Sequence, residues 1–358
     1  MIKGNKGEWS EFYTFVKLLV DKKLVGANED LEKIESIVFP ILKIVREDST
    51  GKSEYELKKG DSVEILPPNG QMLAVDCSDL KNKVVEILDV IKESGKTFSV
   101  PVAEELIKRL KVHSLNAGNA RKEDLVLKIH DHTINRDHEV GFSIKSRLGS
   151  PATLLNASSA TNFTYKIEGL NRSEIKKINK IDTKAKIRDR LTAITEAGGA
   201  FKFHSVDSPV FEKNLRKIDT VMPEIIAEVL LAYFSDKGSD FPTLLVYLES
   251  SGTKILNFDL SSDDMAYKIK SLLNNSALGM VPASAWDGNL RAHGGVIVVR
   301  EDGEVVCYHL YNAEAFRDYL FNHTRMESPS ATRHGYGSIY EEDGNLFIKL
   351  NLQIRFTK

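Results

Sequence analysis

The stretch Asp124-Leu-Val-Leu-Lys-Ile-His-Asp-His-Thr-Ile-Asn-Arg-Asp-His-Glu-Val-Gly-Phe-Ser-Ile-Lys-Ser-Arg-Leu-Gly-Ser-Pro151 decides the reading of the fold. Asp124 to His130 alternates aliphatic with polar residues, and Val140 to Ser146 does so again, the period-two signature of strands. Turn formers fill Asp131 to Asp137 between them. A turn centred near Ile134 and Asn135 sets Asp124 directly opposite Lys145, on the sheet face that also carries Ser143. Leu125, Leu127, Ile129, Phe142 and Ile144 then share the other face. A carboxylate beside an amine at adjacent strand ends suits phosphodiester hydrolysis: the acid holds Mg²⁺, which prefers oxygen ligands, and Lys145 orients water or steadies charge on the phosphate. Taken alone, the same pattern also describes an ordinary hairpin with a solvated Asp-Lys pair.

Upstream, Asn5 to Leu19 reads as a helix whose Trp9, Phe12, Val16 and Leu19 form one buried stripe. Glu8 and Glu11 flank that stripe and are neighbours on the helix surface. No Asp or Glu occurs between Lys145 and Glu168, so a second metal ligand has to come from elsewhere. Glu11 is the first candidate and Glu8 the second. Strands are expected at Phe39 to Arg46, Glu54 to Leu66 and Met72 to Val75, and helices at Leu80 to Lys92 and Pro101 to Val112. Ser114 to Arg121 is a linker into the hairpin. Gly149 to Ser159 is rich in small and hydroxyl residues and is read as a short helix.

The formal net charge of −2 over 358 residues does not advertise a nucleic-acid partner, so any DNA contact requires a local basic surface. Asn171 to Arg190 supplies one, with eight Lys or Arg against three acids. Lys184 and Lys186 suit phosphates. Arg188-Asp189-Arg190 has the chemistry to read G·C pairs, because Arg bridges guanine O6 and N7 and a carboxylate accepts from cytosine N4. Arg147, Arg325 and Arg333 are further candidates for DNA contact. The rest alternates strands at Asn162 to Ile167, Ala200 to Val206 and Leu244 to Leu248 with helices at Val210 to Phe234, Asp264 to Leu273 and Asn312 to Phe321. Hairpins turn at Asp302-Gly303 and Asp343-Gly344, and His323 to His334 reads as a polar loop. Two cysteines far apart, Cys77 and Cys307, fit a reducing cytoplasm, and neither a secretory signal nor a membrane span is expected.

Glu11 on a helix, Asp124 at a strand start and Ser143-Ile-Lys145 on the next strand resemble the PD-(D/E)xK nuclease superfamily, with Ser143 where that pattern has an acid. Asn5 to Glu11, Gly141 to Ser146, Thr153 to Ser158 and Lys349 to Phe356 look like the HpaII family of type II restriction endonucleases, across nearly the whole chain. That resemblance implies an α/β fold with a mixed central β-sheet flanked by helices, a catalytic core over 1–170, and a DNA-recognition and C-terminal α+β region over 171–358. It further implies Mg²⁺-dependent cleavage of double-stranded DNA within CCGG, a cognate cytosine methyltransferase, and the homodimer that a palindrome favours. Three other readings compete. One is a DNA-binding module on a degenerate nuclease fold, favoured by Ser143. The second is a zinc or His-Asn-His nuclease built on His130, His132 and His138. The third is a Ser-Lys hydrolase, for which the spacing is wrong.

Overall fold

A computed structural model describes residues 2–48, 50–115, 123–132, 135–256, 259–309 and 312–357. Most of the expected linker, 116–121, and Ile134 at the expected turn lie outside the described residues. The chain divides into two compact units, one of residues 1–152 and 290–319, the other of 153–289 and 320–357. Residues 153–170 therefore leave the expected 1–170 core, and 290–319 return to it.

In the first unit, helix α1 (Lys6–Asp21) starts at Asn5, whose side chain accepts from the Glu8 backbone while the Glu8 carboxylate accepts from Asn5 N, a reciprocal cap. Trp9, Phe12, Phe15 and Val16 are fully buried. Each such side chain removed from water contributes roughly 1.5–3 kcal/mol. Trp9 Nε1 also donates to Phe98 O at 3.0 Å and Tyr13 Oη to Gly303 O at 2.6 Å, which fix the rotation of the helix. Helices α2 (Leu80–Glu93) and α3 (Pro101–Arg109) match their expected positions.

The sheet of this unit has nine strands. Its members are β1 (Lys23–Ala27), β2 (Lys33–Asp48), β3 (Gly51–Leu57), β4 (Ser62–Leu66), β5 (Leu73–Asp76), β6 (Leu125–Asp131), β7 (Arg136–Ser146) and the hairpin Gly295–Val299 with Val305–His309. Running from β1 through Val305–His309, Gly295–Val299, β7, β6, β2, β3 and β4 to β5, it is mixed as expected: Gly295–Val299 lies parallel to β7 and β6 antiparallel to it. An unexpected feature is closure. The long β2 pairs through its first half with β1 and through its second half with β6 and β3, so the strands from β1 round to β2 form a six-membered ring. Sequence reading overlooked β1, a five-residue strand carrying Gly26.

The β6–β7 pairing differs from the expected register. Leu125 faces Phe142 and Asp131 faces Arg136, a shift of two residues that places Asp124 opposite Ser143 rather than Lys145. Asn135 takes the left-handed conformation (φ 50) and ends the connection, so pairing resumes at Arg136. An even shift keeps every side chain on its face. Leu125, Leu127, Ile129, Phe142 and Ile144 accordingly join the core beneath α1.

The second unit holds a four-stranded antiparallel sheet, ordered Ala200–Val206, Asn162–Glu168, Asn345–Asn351, Ile339–Glu342. A three-stranded sheet joins Thr324–Met326, Ile354–Phe356 and Thr153–Leu155. Helices Pro209–Ile218, Met222–Phe234, Phe241–Ser250 and Ser262–Leu278 accompany them. Three expectations fail here, the first being His323 to His334, which is not a loop throughout but holds the strand Thr324–Met326 and the short helix Ala331–His334. Gly149 to Ser159 is not a helix but the strand Thr153–Leu155 followed by extended chain, and Leu244 to Leu248 is not a strand but part of helix Phe241–Ser250. Asp240 caps that helix by accepting from Thr243 N, and Pro242 occupies its first turn.

Candidate functional site

Asp124 stands just before β6, its backbone N–H donating to Phe142 O at 2.8 Å. Its carboxylate accepts from Ile144 N at 2.6 Å and from Ser143 Oγ at 3.2 Å. Lys145 Nζ in turn donates to Ser143 Oγ at 2.8 Å and to Ile144 O at 3.1 Å. Ser143 is 2% exposed and so acts as a hydroxyl bridge between acid and amine, which compensates for the displaced register. That hydroxyl donates to Asp124 and accepts from Lys145, and the two-residue Ser143–Lys145 spacing on one strand is not the S-x-x-K helix of a Ser-Lys hydrolase.

Glu11 joins this group from α1. The helix docks against the end of β7, where Ser10 Oγ donates to Ser146 Oγ at 2.9 Å. Burial, and next the charge of Asp124, push the Glu11 carboxyl from 4.5 up to about 8, while Arg46 and Lys145 pull the other way. Two carboxylates and an ammonium thus share one neighbourhood on the first unit. Glu8 adds a smaller repulsion to Glu11, but its carboxylate serves the helix cap.

Sequence reading missed Arg46. It is 7% exposed on β2, with Nη2 donating to Ser114 O at 3.0 Å and Leu115 O at 2.6 Å and the guanidinium 5.3 Å from the centre of the Phe15 ring. Burial lowers its pKa, and Tyr55 and Glu11 oppose that. Its signal in the sequence was a cation in phase with Ile44 on the apolar face of a strand.

The histidines do not form a cluster. His130 Nδ1 meets Asp137 Oδ1 at 2.8 Å and its ring lies 4.7 Å from His132, whereas His138 pairs with Ile129 and shares the opposite, core-facing side. Among the described residues no group of three or more His, Cys, Asp or Glu is arranged to hold a metal ion. A site here rests on fewer protein ligands, which is compatible with magnesium, since that ion keeps several waters and takes one or two carboxylates.

The basic segment in the second unit splits into helices Ile175–Asn179 and Lys186–Glu196. Arg190 is 7% exposed and donates to Asn179 O, Ile181 O, Gly337 O and Ser338 Oγ, so it is a structural clamp and not a reader of bases. Asp189 accepts from Thr183 Oγ1. Lys184 and Arg188 are exposed, and Lys186 pairs with Asp182. Arg325 and Arg333 are exposed on Thr324–Met326 and Ala331–His334. Arg147 follows β7 in the first unit, its N–H donating to Val299 O at 2.9 Å.

No solved structure matches the chain. It is 41% identical over 357 residues to the type II restriction enzyme HpaII of Haemophilus parainfluenzae, covering 99% of this chain and 98% of that protein. The family model for HpaII restriction endonucleases matches residues 5–356, and the chain therefore belongs to the HpaII restriction endonuclease family of type II site-specific endonucleases.

Proposed function

We propose that the chain makes Mg²⁺-dependent double-strand cuts in DNA at a short G·C palindrome, CCGG, from a PD-(D/E)xK-like core. The single observation that carries this reading is the hydrogen-bonded line Asp124–Ser143–Lys145 with Glu11 beside it. Asp124 and Glu11 are the residues that would hold magnesium, with Glu8 the weaker candidate because of its part in the cap. A carboxyl pushed up by burial and by the charge of Asp124 beside it, as Glu11 is, is the kind of donor that a divalent cation relieves. When bound, the ion supplies charge neutralisation at the phosphate and acidifies water.

Lys145 orients the attacking water or steadies the phosphate charge, from a position fixed by Ser143 Oγ and Ile144 O. Ser143 keeps Asp124 and Lys145 at constant separation. Arg46 stands behind Glu11 and limits how far its carboxyl is driven toward the neutral form. Lys184, Lys186, Arg188, Arg325 and Arg333 on the second unit, with Arg147 on the first, bind DNA. A homodimer matches a palindromic substrate, and a cytosine methyltransferase would protect the host's own sites in the cytoplasm.

The test is incubation of purified protein with unmethylated plasmid and Mg²⁺, with and without chelator. Discrete fragments that vanish with chelator are expected. Binding without cutting would instead select a non-catalytic DNA-binding module.

A further inference from the structure

We propose that Arg188 and Asp236 act as a couple that reads one G·C base pair, a deepening that rests on the specificity proposed above. The two side chains are ion-paired and open to solvent, 46% and 68% exposed. They line a cavity of about 770 Å³ whose wall also includes Lys184, Lys186, Tyr233 and Ser330. Nothing in the sequence linked them, since Asp236 lies 48 residues beyond Arg188.

Asp236 occupies a position that disfavours it twice. It follows helix Met222–Phe234 with φ 64, while Lys237 N donates to Ala232 O at 3.1 Å and Asp236 N to Tyr233 O at 3.1 Å, closing the helix end. Glycine or asparagine is the usual residue at such a left-handed cap. A carboxylate at a helix C-terminus also faces the negative end of the macrodipole. Backbone and field both argue for another residue, and a disfavoured residue of this kind is a pointer to function.

The chemistry selects the ligand. Lys184 and Lys186 suit a phosphate backbone, but a carboxylate among them repels one. What a nucleic acid offers to a carboxylate is an amino donor such as cytosine N4, and what it offers to the neighbouring guanidinium is guanine O6 and N7. A G·C pair presents these side by side in the major groove. Arg188–Asp236 thus replaces the contiguous Arg188-Asp189-Arg190 arrangement, two of whose members are engaged within the protein.

The test uses the full chain with chelator present, so that binding is read without cutting. Probes are a CCGG duplex, duplexes with each G·C pair replaced in turn by A·T, and a random duplex. For Asp236→Gly we expect unchanged or tighter binding to random DNA, a loss of about tenfold to hundredfold on CCGG, and discrimination lost at one symmetric pair of positions. Its melting temperature equals or exceeds that of the wild type, because glycine suits the cap. Asp236→Asn, which keeps an acceptor oxygen and tolerates the left-handed conformation, retains part of the discrimination. Equal weakening on specific and random duplexes, or a wild-type preference at every position, overturns the couple alone. A wild-type protein that prefers no G·C palindrome removes the underlying reading together with it.

Discussion

Replacing Glu11 by glutamine is expected to stabilise the protein at alkaline pH while removing its nuclease activity. Its carboxyl sits at about 8 in the folded chain against 4.5 ordinarily, first through burial and then through Asp124. Below pH 4.5 both states hold the proton and the acid has no stability consequence. Between 4.5 and 8 the unfolded chain ionises while the folded one keeps its proton, so stability falls by about 1.4 kcal/mol for each pH unit. Above 8 the loss is complete, with a ceiling of about 5 kcal/mol for the full interval. Glu11 is partly open to solvent and screening reduces this, so about 2–3 kcal/mol is the working figure. For a unit of this size that corresponds to a rise of roughly 4–12 °C in melting temperature. The assay is thermal unfolding of wild type and Glu11→Gln in chelator at pH 5, 7 and 9. The two proteins should melt together at the acid end and separate progressively toward pH 9. A variant that melts at or below the wild type at pH 9 refutes the account of Glu11 as an acid held against its charge.

Asp124→Ala and Lys145→Ala should each lower plasmid cleavage by on the order of a hundredfold or more while leaving the protein folded and DNA affinity largely intact; full activity in either excludes the hairpin from the mechanism. Arg190→Ala should cost about 3 kcal/mol, because its removal leaves several carbonyl acceptors without a donor. Chemical denaturation measures this, and specific and random DNA binding should fall together. Selective loss of specific binding with unchanged stability would return Arg190 to a base-reading role.

The hairpin was legible because period-two alternation decides faces, and faces survive an even slip of register. Register itself was not legible, since several residues between Asp131 and Asp137 accept turn conformations and the choice of Asn135 for the left-handed position is made by pairing. Leu244 to Leu248 shows a different failure. A short apolar run carries no period, and the deciding signals, Asp240 and Pro242, sit before it. Arg190 marks a third limit: alternating charge in a sequence does not reveal which cation turns inward onto carbonyls. Glu11 was nominated by elimination, and its approach to Asp124 depends on the rotation of α1, set by distant contacts of Trp9 and Tyr13.

The same dependence on distant contacts explains how the proposed site works with a serine at position 143. An acid there would place a second charge at a position 2% exposed and next to Asp124, with only Lys145 to oppose it. Serine instead donates to the acid and accepts from the amine, which holds both in place without adding charge. The second carboxylate then arrives on a helix, where Arg46 provides a further cation. Arg46 is itself tied to Ser114 and Leu115, the last described residues before the segment that leads to Asp124. One buried guanidinium on β2 therefore binds the carbonyls of Ser114 and Leu115 and lies over Phe15 of the helix that carries Glu11. The proposed pair of metal ligands is consequently a property of α1, β2 and the hairpin together, and a motif confined to residues 124–145 captures only the part that the hairpin contributes.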